Sequence, residues 1–172
     1  ETGWNQEYFV STPEKYADDA RTRLDMAWGI TDRASADSTI NWLLTSGHRS
    51  GFQEEMGLFS YMGYLNGTEQ QIEEQYKDNE FVKDMLLAYK RGGEGAIDGW
   101  DYCRAMQVLR ECYLAEYYTE TEMLDQMLSA AKTIQARFVS WNDMAESYMR
   151  GYEYWNNSPD KYRTRKNLYE KL

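Results

Sequence analysis

Five residues have side chains that could together bind a ligand or transfer protons: one histidine, two arginines and two acids. They are His48, Arg49, Asp101, Arg104 and Glu111. An imidazole beside a carboxylate can transfer protons, and guanidinium groups bind anions, so their convergence in a cleft would form a ligand site. The structural alternative is that Asp101 pairs with an arginine and His48 donates to a backbone carbonyl, which locks a helix junction. We favour the structural arrangement and keep the ligand site as a hypothesis.

Metal and thiol chemistry have little support in the residue pattern. His48 is the only histidine, whereas zinc and helical di-iron sites use sets of histidines, cysteines and acids at short spacing. Cys103 and Cys112 are nine residues apart on one predicted helix, a rise of about 13.5 Å, so they cannot form a disulfide with each other. We expect both thiols to be buried. The sequence therefore predicts no metal, no other cofactor and no catalytic residue, and it favours a protein that is not an enzyme.

Length and charge restrict the class of protein. A chain of 172 residues with a formal net charge of -10 fits one domain, and its acidity argues against nucleic-acid binding. No apolar run approaches the roughly 20 residues of a membrane span. Residues 1–3, Glu-Thr-Gly, resemble the remnant of a secretion vector. We therefore expect residues 1–10 to be an N-terminal extension, residues 11–172 to form a single helical domain, and an exported or cell-surface location to be favoured over the cytoplasm.

Helix signals run through the whole chain, and no segment has the alternation of a strand. Thr12-Pro13 begins a helix that Gly29 ends, and Thr68, Ser140 and Ser158 are further predicted N-caps. Ser140 to Asp143 resembles a capping box with aspartate in place of glutamate. Residues 91–95, with three glycines, are predicted to form a flexible loop. The pattern indicates an all-α, single compact bundle of about eight helices.

The segment from Ala96 to Tyr118 has apolar residues on nearly every face, which is typical of a buried helix. We predict that it is the central helix of the bundle. Its polar residues Arg104, Gln107 and Glu111 share one stripe and must find partners inside the protein. Aromatic residues at helical spacing are predicted to form the core around it: Trp28, Trp42, Phe52, Trp100, Phe138, Trp141, Tyr148 and Trp155.

Three segments together resemble one bacterial family. The first includes residues 27–30, Arg33, residues 42–44, residues 47–49 and Phe52. The second is residues 99–104, with the pattern Trp-Asp-x-x-Arg, and the third includes Phe138, residues 140–141, Tyr148, Gly151 and Trp155. In order and spacing they resemble the family known as domain of unknown function 1266. The resemblance implies a mostly helical bacterial protein and supplies no catalytic residues. A glycine of the family after the second segment is Glu116 here, which predicts a local difference in packing.

These observations favour a non-catalytic protein-interaction or accessory module whose partner is another protein. One alternative is a small-ligand-binding protein or enzyme that uses His48, Asp101 and Arg104. Another is an acidic immunity-type protein that binds a basic toxin, since the chain carries a large negative charge.

Overall fold

The computed structural model describes residues 12–170, and this part of the chain is all-α, as predicted. Residues 1–10, the predicted extension, lie outside the described residues. The helices are α1 (Pro13–Trp28), α2 (Arg33–Thr45), α3 (Arg49–Tyr61), α4 (Glu69–Gln75), α5 (Glu80–Gly92), a 3-10 helix (Gly93–Gly95), α6 (Asp98–Leu114), α7 (Glu120–Arg137), α8 (Trp141–Asn156) and α9 (Pro159–Tyr169). Among these helices, none is both long enough and apolar enough to cross a membrane.

Several helix ends follow from local sequence. Thr68 and Gln71 form a complete capping box at the start of α4. Ser140 caps α8 by accepting from the N–H of Asp143, but the Asp143 carboxylate accepts from the N–H of Val139 at 3.0 Å. The predicted reciprocal box at Ser140 is therefore wrong, because the shorter aspartate side chain bonds one residue earlier than the cap.

The glycine-rich segment is more regular than predicted. Helix α5 continues through Arg91 to Gly92, and Gly93–Gly95 forms a 3-10 helix in which the N–H of Ala96 donates to the carbonyl of Gly93 at 3.1 Å. The prediction of a loop at residues 91–95 is wrong: α5 runs through Gly92 and a 3-10 turn follows it, and Gly93 at their junction has a φ of +62° that glycine adopts without strain.

The chain divides into two compact units, which are described separately. The first contains Glu1–Thr45 and Arg104–Thr133, and the second contains Ser46–Cys103 and Ile134–Leu172. The prediction of one domain over residues 11–172 stays a prediction.

The first unit has its own apolar core. Buried residues of α1, α2, α6 and α7 meet there: Ala20, Leu24, Ala36, Ile40, Leu43, Ala105, Val108, Leu109, Cys112 and Met123. Helix α6 ends near Leu114, and Glu116 then adopts a left-handed φ of +66°. Glycine is the residue that adopts this conformation without strain, so a glutamate here is held in a strained backbone conformation.

The second unit is built around a second core. It contains buried residues from α3, α4, α5 and the start of α6: Phe52, Met56, Ile72, Met85, Leu86, Leu87 and Ile97. Along the whole of α6, none of the residues 98–114 is exposed, as the apolar pattern predicted. The helix is shorter than the predicted range of 96–118 because its ends adopt turn conformations.

The predicted aromatic core is only partly correct. Phe52 and Trp100 are buried, and Trp28, Phe138 and Tyr148 are half-buried. The prediction is wrong for three tryptophans: Trp42 is exposed, Trp155 is 53% exposed and Trp141 is 80% exposed. Trp141 is the first residue of α8 and Trp155 lies in its last turn, so both stand where the helix meets solvent. Helical spacing identifies a stripe but not how far the core covers it.

Candidate functional site

The candidate site begins where α3 starts without a cap of its own. The residue before the helix is His48, and its side chain makes no capping hydrogen bond to the helix. The Asp101 carboxylate, on α6, supplies the missing acceptor: it accepts from the backbone N–H of His48 at 3.0 Å and of Arg49 at 2.9 Å. An anionic acceptor at a helix N-terminus also interacts favourably with the helix dipole.

The same carboxylate binds two side chains. His48 Nδ1 lies 2.7 Å from Asp101 Oδ1, and Arg49 Nη1 lies 3.5 Å from Asp101 Oδ2. Since the carboxylate is an acceptor, Nδ1 is the nitrogen that carries the proton in this pair. Asp101 is 0% exposed, so its charge depends on these donors rather than on water.

Gly47 makes room for this carboxylate. It has a φ of +60°, and a Cβ added there would lie 2.2 Å from Asp101 Oδ2. Any other residue would clash with the carboxylate and strain the backbone. The segment Gly47-His48-Arg49 therefore provides both the space and the hydrogen-bond donors that bind the Asp101 carboxylate.

Arg49 extends the network to two residues that the sequence analysis missed. Its Nε lies 3.9 Å from Asp98 Oδ1, and Asp98 Oδ2 accepts from Arg137 Nε at 2.6 Å. This hydrogen bond raises the pKa of Arg137. Asp98 is three residues before Asp101 on the same helix, and this spacing could have identified it. Arg137 is far away in sequence, and no local signal identified it.

The other predicted site residues belong to the first unit. Arg104 donates to Gln107 at 2.7 Å, and its guanidinium carbon lies 4.9 Å from the ring centroid of Trp28. Glu111 accepts from Arg23 at 2.9 Å. The cluster in the second unit therefore consists of His48, Arg49 and Asp101 with Asp98 and Arg137.

Trp100, next to Asp101, organises a layer of aromatic rings. Its ring centroid lies 5.3 Å from that of Tyr148, 5.5 Å from that of Trp155 and 6.2 Å from that of His48. A Cβ added at Gly151 would lie 2.2 Å from the Trp100 Cβ, so the glycine allows α8 to approach α6 closely. This contact fixes the position of Trp155 although half of that side chain is exposed.

A shallow depression of about 450 Å³, largely open to solvent, lies beside this network, and we call it the His48 cavity. Its lining residues are Gly47, His48, Gly51, Glu55, Phe81, Tyr154, Trp155 and Asn157. Burial and the neighbouring Glu55 carboxylate raise the pKa of Tyr154 to about 12, so its hydroxyl stays protonated near neutral pH. The cavity thus combines three aromatic rings, one imidazole and one carboxylate.

The network uses the Asp101 carboxylate to hold its neighbours in place. Both Asp101 oxygens accept hydrogen bonds that hold α3 and His48, which is the work of a positioning group. Burial raises the pKa of Cys103 to about 11 and of Cys112 to about 12, so neither thiol supplies a thiolate nucleophile near neutral pH. Within residues 12–170, no group of three or more His, Cys, Asp or Glu side chains is placed to hold a metal ion.

Comparison with known proteins identifies a family and one distant relative. The family model described as "Protein of unknown function (DUF1266)" matches residues 23–172. "Uncharacterized protein YbeR" of Escherichia coli (strain K12) is 25% identical over 153 residues, which cover 87% of this chain. The matched region covers 64% of the length of YbeR. No solved structure matches the chain.

Proposed function

We propose that this chain, which belongs to the DUF1266 family, is a non-catalytic protein-interaction module. One observation carries the proposal: the outward face of α3 is apolar. Leu58 and Met62 are each 56% exposed, and Tyr61 is 91% exposed. Three large apolar side chains this accessible on adjacent positions are typical of a contact surface.

These residues form one continuous face. Leu58, Tyr61 and Met62 are three and four residues apart, so they are neighbours on the helix surface. Gly57 lies beside them, and a Cβ added there would meet no atom within 4 Å. A backbone left this open permits the close approach of a partner. We call Glu54, Gly57, Leu58, Tyr61 and Met62 the α3 face.

Helix α3 is apolar on two sides, which its role in the fold does not require. Phe52 and Met56 point inward and are almost fully buried in the core of the second unit. A helix that packs on one side normally carries polar residues on the other. The apolar residues of the α3 face contribute little to the core and are available for a second contact.

The charge around this face indicates the chemistry of the partner. Glu54 and Glu55 are exposed in the preceding turn, and the whole chain has a net charge of -10. A partner segment with apolar and basic side chains would match both features, and opposite charge accelerates the encounter. A basic toxin, the partner of an immunity-type protein, is one protein of this kind.

Site-specific cross-linking tests the proposal. A photo-crosslinking amino acid at position 61 should capture a partner protein in bacteria that encode the chain. The same amino acid at position 135, where Gln135 is exposed on α7, is the control. Binding of the purified partner should weaken at least tenfold in Tyr61→Asp and stay unchanged in Gln135→Asp, since tenfold corresponds to about 1.4 kcal/mol.

Two results would overturn the proposal. One is equal capture at positions 61 and 135. The other is a captured partner whose affinity is the same for Tyr61→Asp and the unsubstituted chain. Cross-links that form only between two copies of the chain would show that the α3 face mediates self-association, and they would overturn the proposed basic partner.

A further inference from the structure

We infer that the His48 cavity receives an ammonium or guanidinium group, carried by a lysine or arginine side chain of the partner that docks on the α3 face. The source of this side chain rests on the proposed function above. The affinity of the cavity for the cation depends only on the cavity's own residues.

The walls of the cavity are suited to a cation. Phe81, Tyr154 and Trp155 contribute aromatic rings, whose electron-rich faces attract ammonium and guanidinium groups. Trp155 is still half exposed after it packs on Trp100, so part of its ring faces solvent where a ligand can reach it. Aromatic walls also pack well against the methylene groups that carry the charge.

Glu55 supplies the opposite charge. It lines the cavity together with Tyr154, and an ionised carboxylate has lone pairs for several donors. Among the lining residues, all of which lie in the described part of the chain, there is no lysine or arginine to compete for it. Arg49, nearby in sequence, is buried and donates to Asp101 instead.

The cavity is formed before any ligand arrives. The bond to Asp101 holds His48, and the stack on Trp100 holds Trp155. Groups that are already fixed lose little conformational freedom on binding, so more of the interaction free energy appears as affinity. The volume of about 450 Å³ falls in the range of about 300 to 1,000 Å³ usual for ligand sites and is ample for one long side chain.

The cavity is continuous with the α3 face. Gly51, Glu55, Leu58 and Met62 follow one another at spacings of four, three and four residues, which places them on one side of α3. A partner segment along α3 would therefore contact the apolar residues and reach Glu55 about one turn away. This continuity favours a protein side chain over a free metabolite as the source of the cation.

The test uses small cations that mimic the two side chains. n-Butylammonium and n-butylguanidinium are titrated into the full chain at pH 8, and the indole N–H signal of Trp155 is followed by NMR. We expect a saturable shift with a dissociation constant in the millimolar range, as is usual for so small a ligand. Neutral n-pentanol, of similar size to n-butylammonium, should not produce it.

Two glutamates form a matched pair of variants. Glu55→Gln should weaken binding of n-butylammonium at least fivefold. Glu120→Gln removes the same charge from an exposed position on α7, outside the cavity and the α3 face, and should change binding less than twofold. Equal losses in both variants, equal binding of n-pentanol, or the absence of a saturable shift would overturn the inference.

Success or failure here is separate from that of the α3 face, because the titration needs no partner. If the cations bind and no partner is captured at position 61, the cavity inference holds and the proposed function fails. With a partner in hand, Glu55→Gln and replacement of the partner's cationic residue by methionine should show coupling in a double-mutant cycle. Strictly additive effects would show that the cation comes from another source.

Discussion

Replacing Glu153 with glutamine should stabilise the protein above neutral pH and have little effect in acid. Glu153 lies on α8 and is 0% exposed, and its Oε1 has no hydrogen-bond partner. Its Oε2 accepts from Arg150 Nη1 at 2.8 Å, and the same nitrogen lies 3.3 Å from Asp84 Oδ2 on α5. The Tyr162 ring on α9 covers the guanidinium at 4.7 Å. Two carboxylates thus share one half-buried arginine.

Burial raises the pKa of Glu153 from 4.5 to about 7, and the nearby Asp84 charge adds to the effect, although Arg150 opposes it. The folded protein therefore holds a proton that the unfolded chain releases between about pH 4.5 and pH 7. Stability from this group is complete below about pH 4.5 and is lost as the pH rises to 7. At roughly 1.4 kcal/mol per pKa unit, the shift from 4.5 to about 7 makes the charged form cost on the order of 3 to 4 kcal/mol at pH 8.

Glutamine resembles the protonated carboxyl group in shape and charge, so Glu153→Gln should recover most of this free energy. We expect the free energy of unfolding to rise by about 2 kcal/mol at pH 8 and to change by less than about 0.5 kcal/mol at pH 4.5. For a chain of this size, the gain at pH 8 corresponds to roughly 4 to 8 °C in Tm.

Urea unfolding followed by circular dichroism at pH 4.5, 6 and 8 measures the effect. Glu146→Gln is the control, because Glu146 is an exposed glutamate on the same helix. A variant that is less stable than the parent at pH 8, or a gain that is the same at all three pH values, would refute the reasoning. In the first case the bond to Arg150 would outweigh the cost of burying the charge, and in the second the gain would not come from the ionisation of Glu153.

Three further predictions concern the packing of the fold, and equilibrium urea unfolding measures each. Asp101→Asn should lower the free energy of unfolding by about 3 kcal/mol, because it leaves Arg49 and His48 without their buried anion. The control Asp125→Asn, at an exposed position, should change it very little. Equal losses in the two variants would contradict the buried network. Gly151→Ala should destabilise the protein by about 2 kcal/mol, because the added Cβ meets Trp100. Gly57→Ala, where the added Cβ meets open space on a helix, should stabilise it by roughly 0.5 kcal/mol. The same sign for both variants would count against the close approach of α6 and α8. Glu116→Gly should stabilise the protein by about 1 kcal/mol, because glycine relieves the strain of the left-handed backbone and the exposed ion pair with Arg21 that is lost contributes little. A loss of more than about 1 kcal/mol would show that the ion pair dominates.

Sequence patterns predicted those features that neighbouring residues decide. A cap and the helix it starts lie within a few residues, so the local sequence was enough to identify Thr68 as an N-cap. Gly29 ends α1 with a φ of +64°, as expected. The all-round apolar character of α6 requires burial whatever surrounds the helix. Within the site, the pairing of Asp101 with an arginine was anticipated from residue types, whereas His48 was expected to bond a backbone carbonyl and instead lies 2.7 Å from the Asp101 carboxylate.

The role of Asp101 as the cap of α3 was not predictable, since the cap and the helix are about fifty residues apart. The same holds for Arg137 and for the His48 cavity, whose walls come from three separate segments. Tryptophan shows the distinction most clearly. Trp100 and Trp141 were both predicted to be core residues from their helical spacing, yet Trp100 is buried and Trp141 is 80% exposed.

What the sequence alone determined was the all-α class, those helix ends that local caps mark and the family, because backbone preference and periodicity act over a few residues. What only the tertiary structure decided was which side chains the core covers and which it leaves to line a cavity or the α3 face. Burial is a property of elements brought together from distant parts of the chain, and no local pattern records which elements will meet.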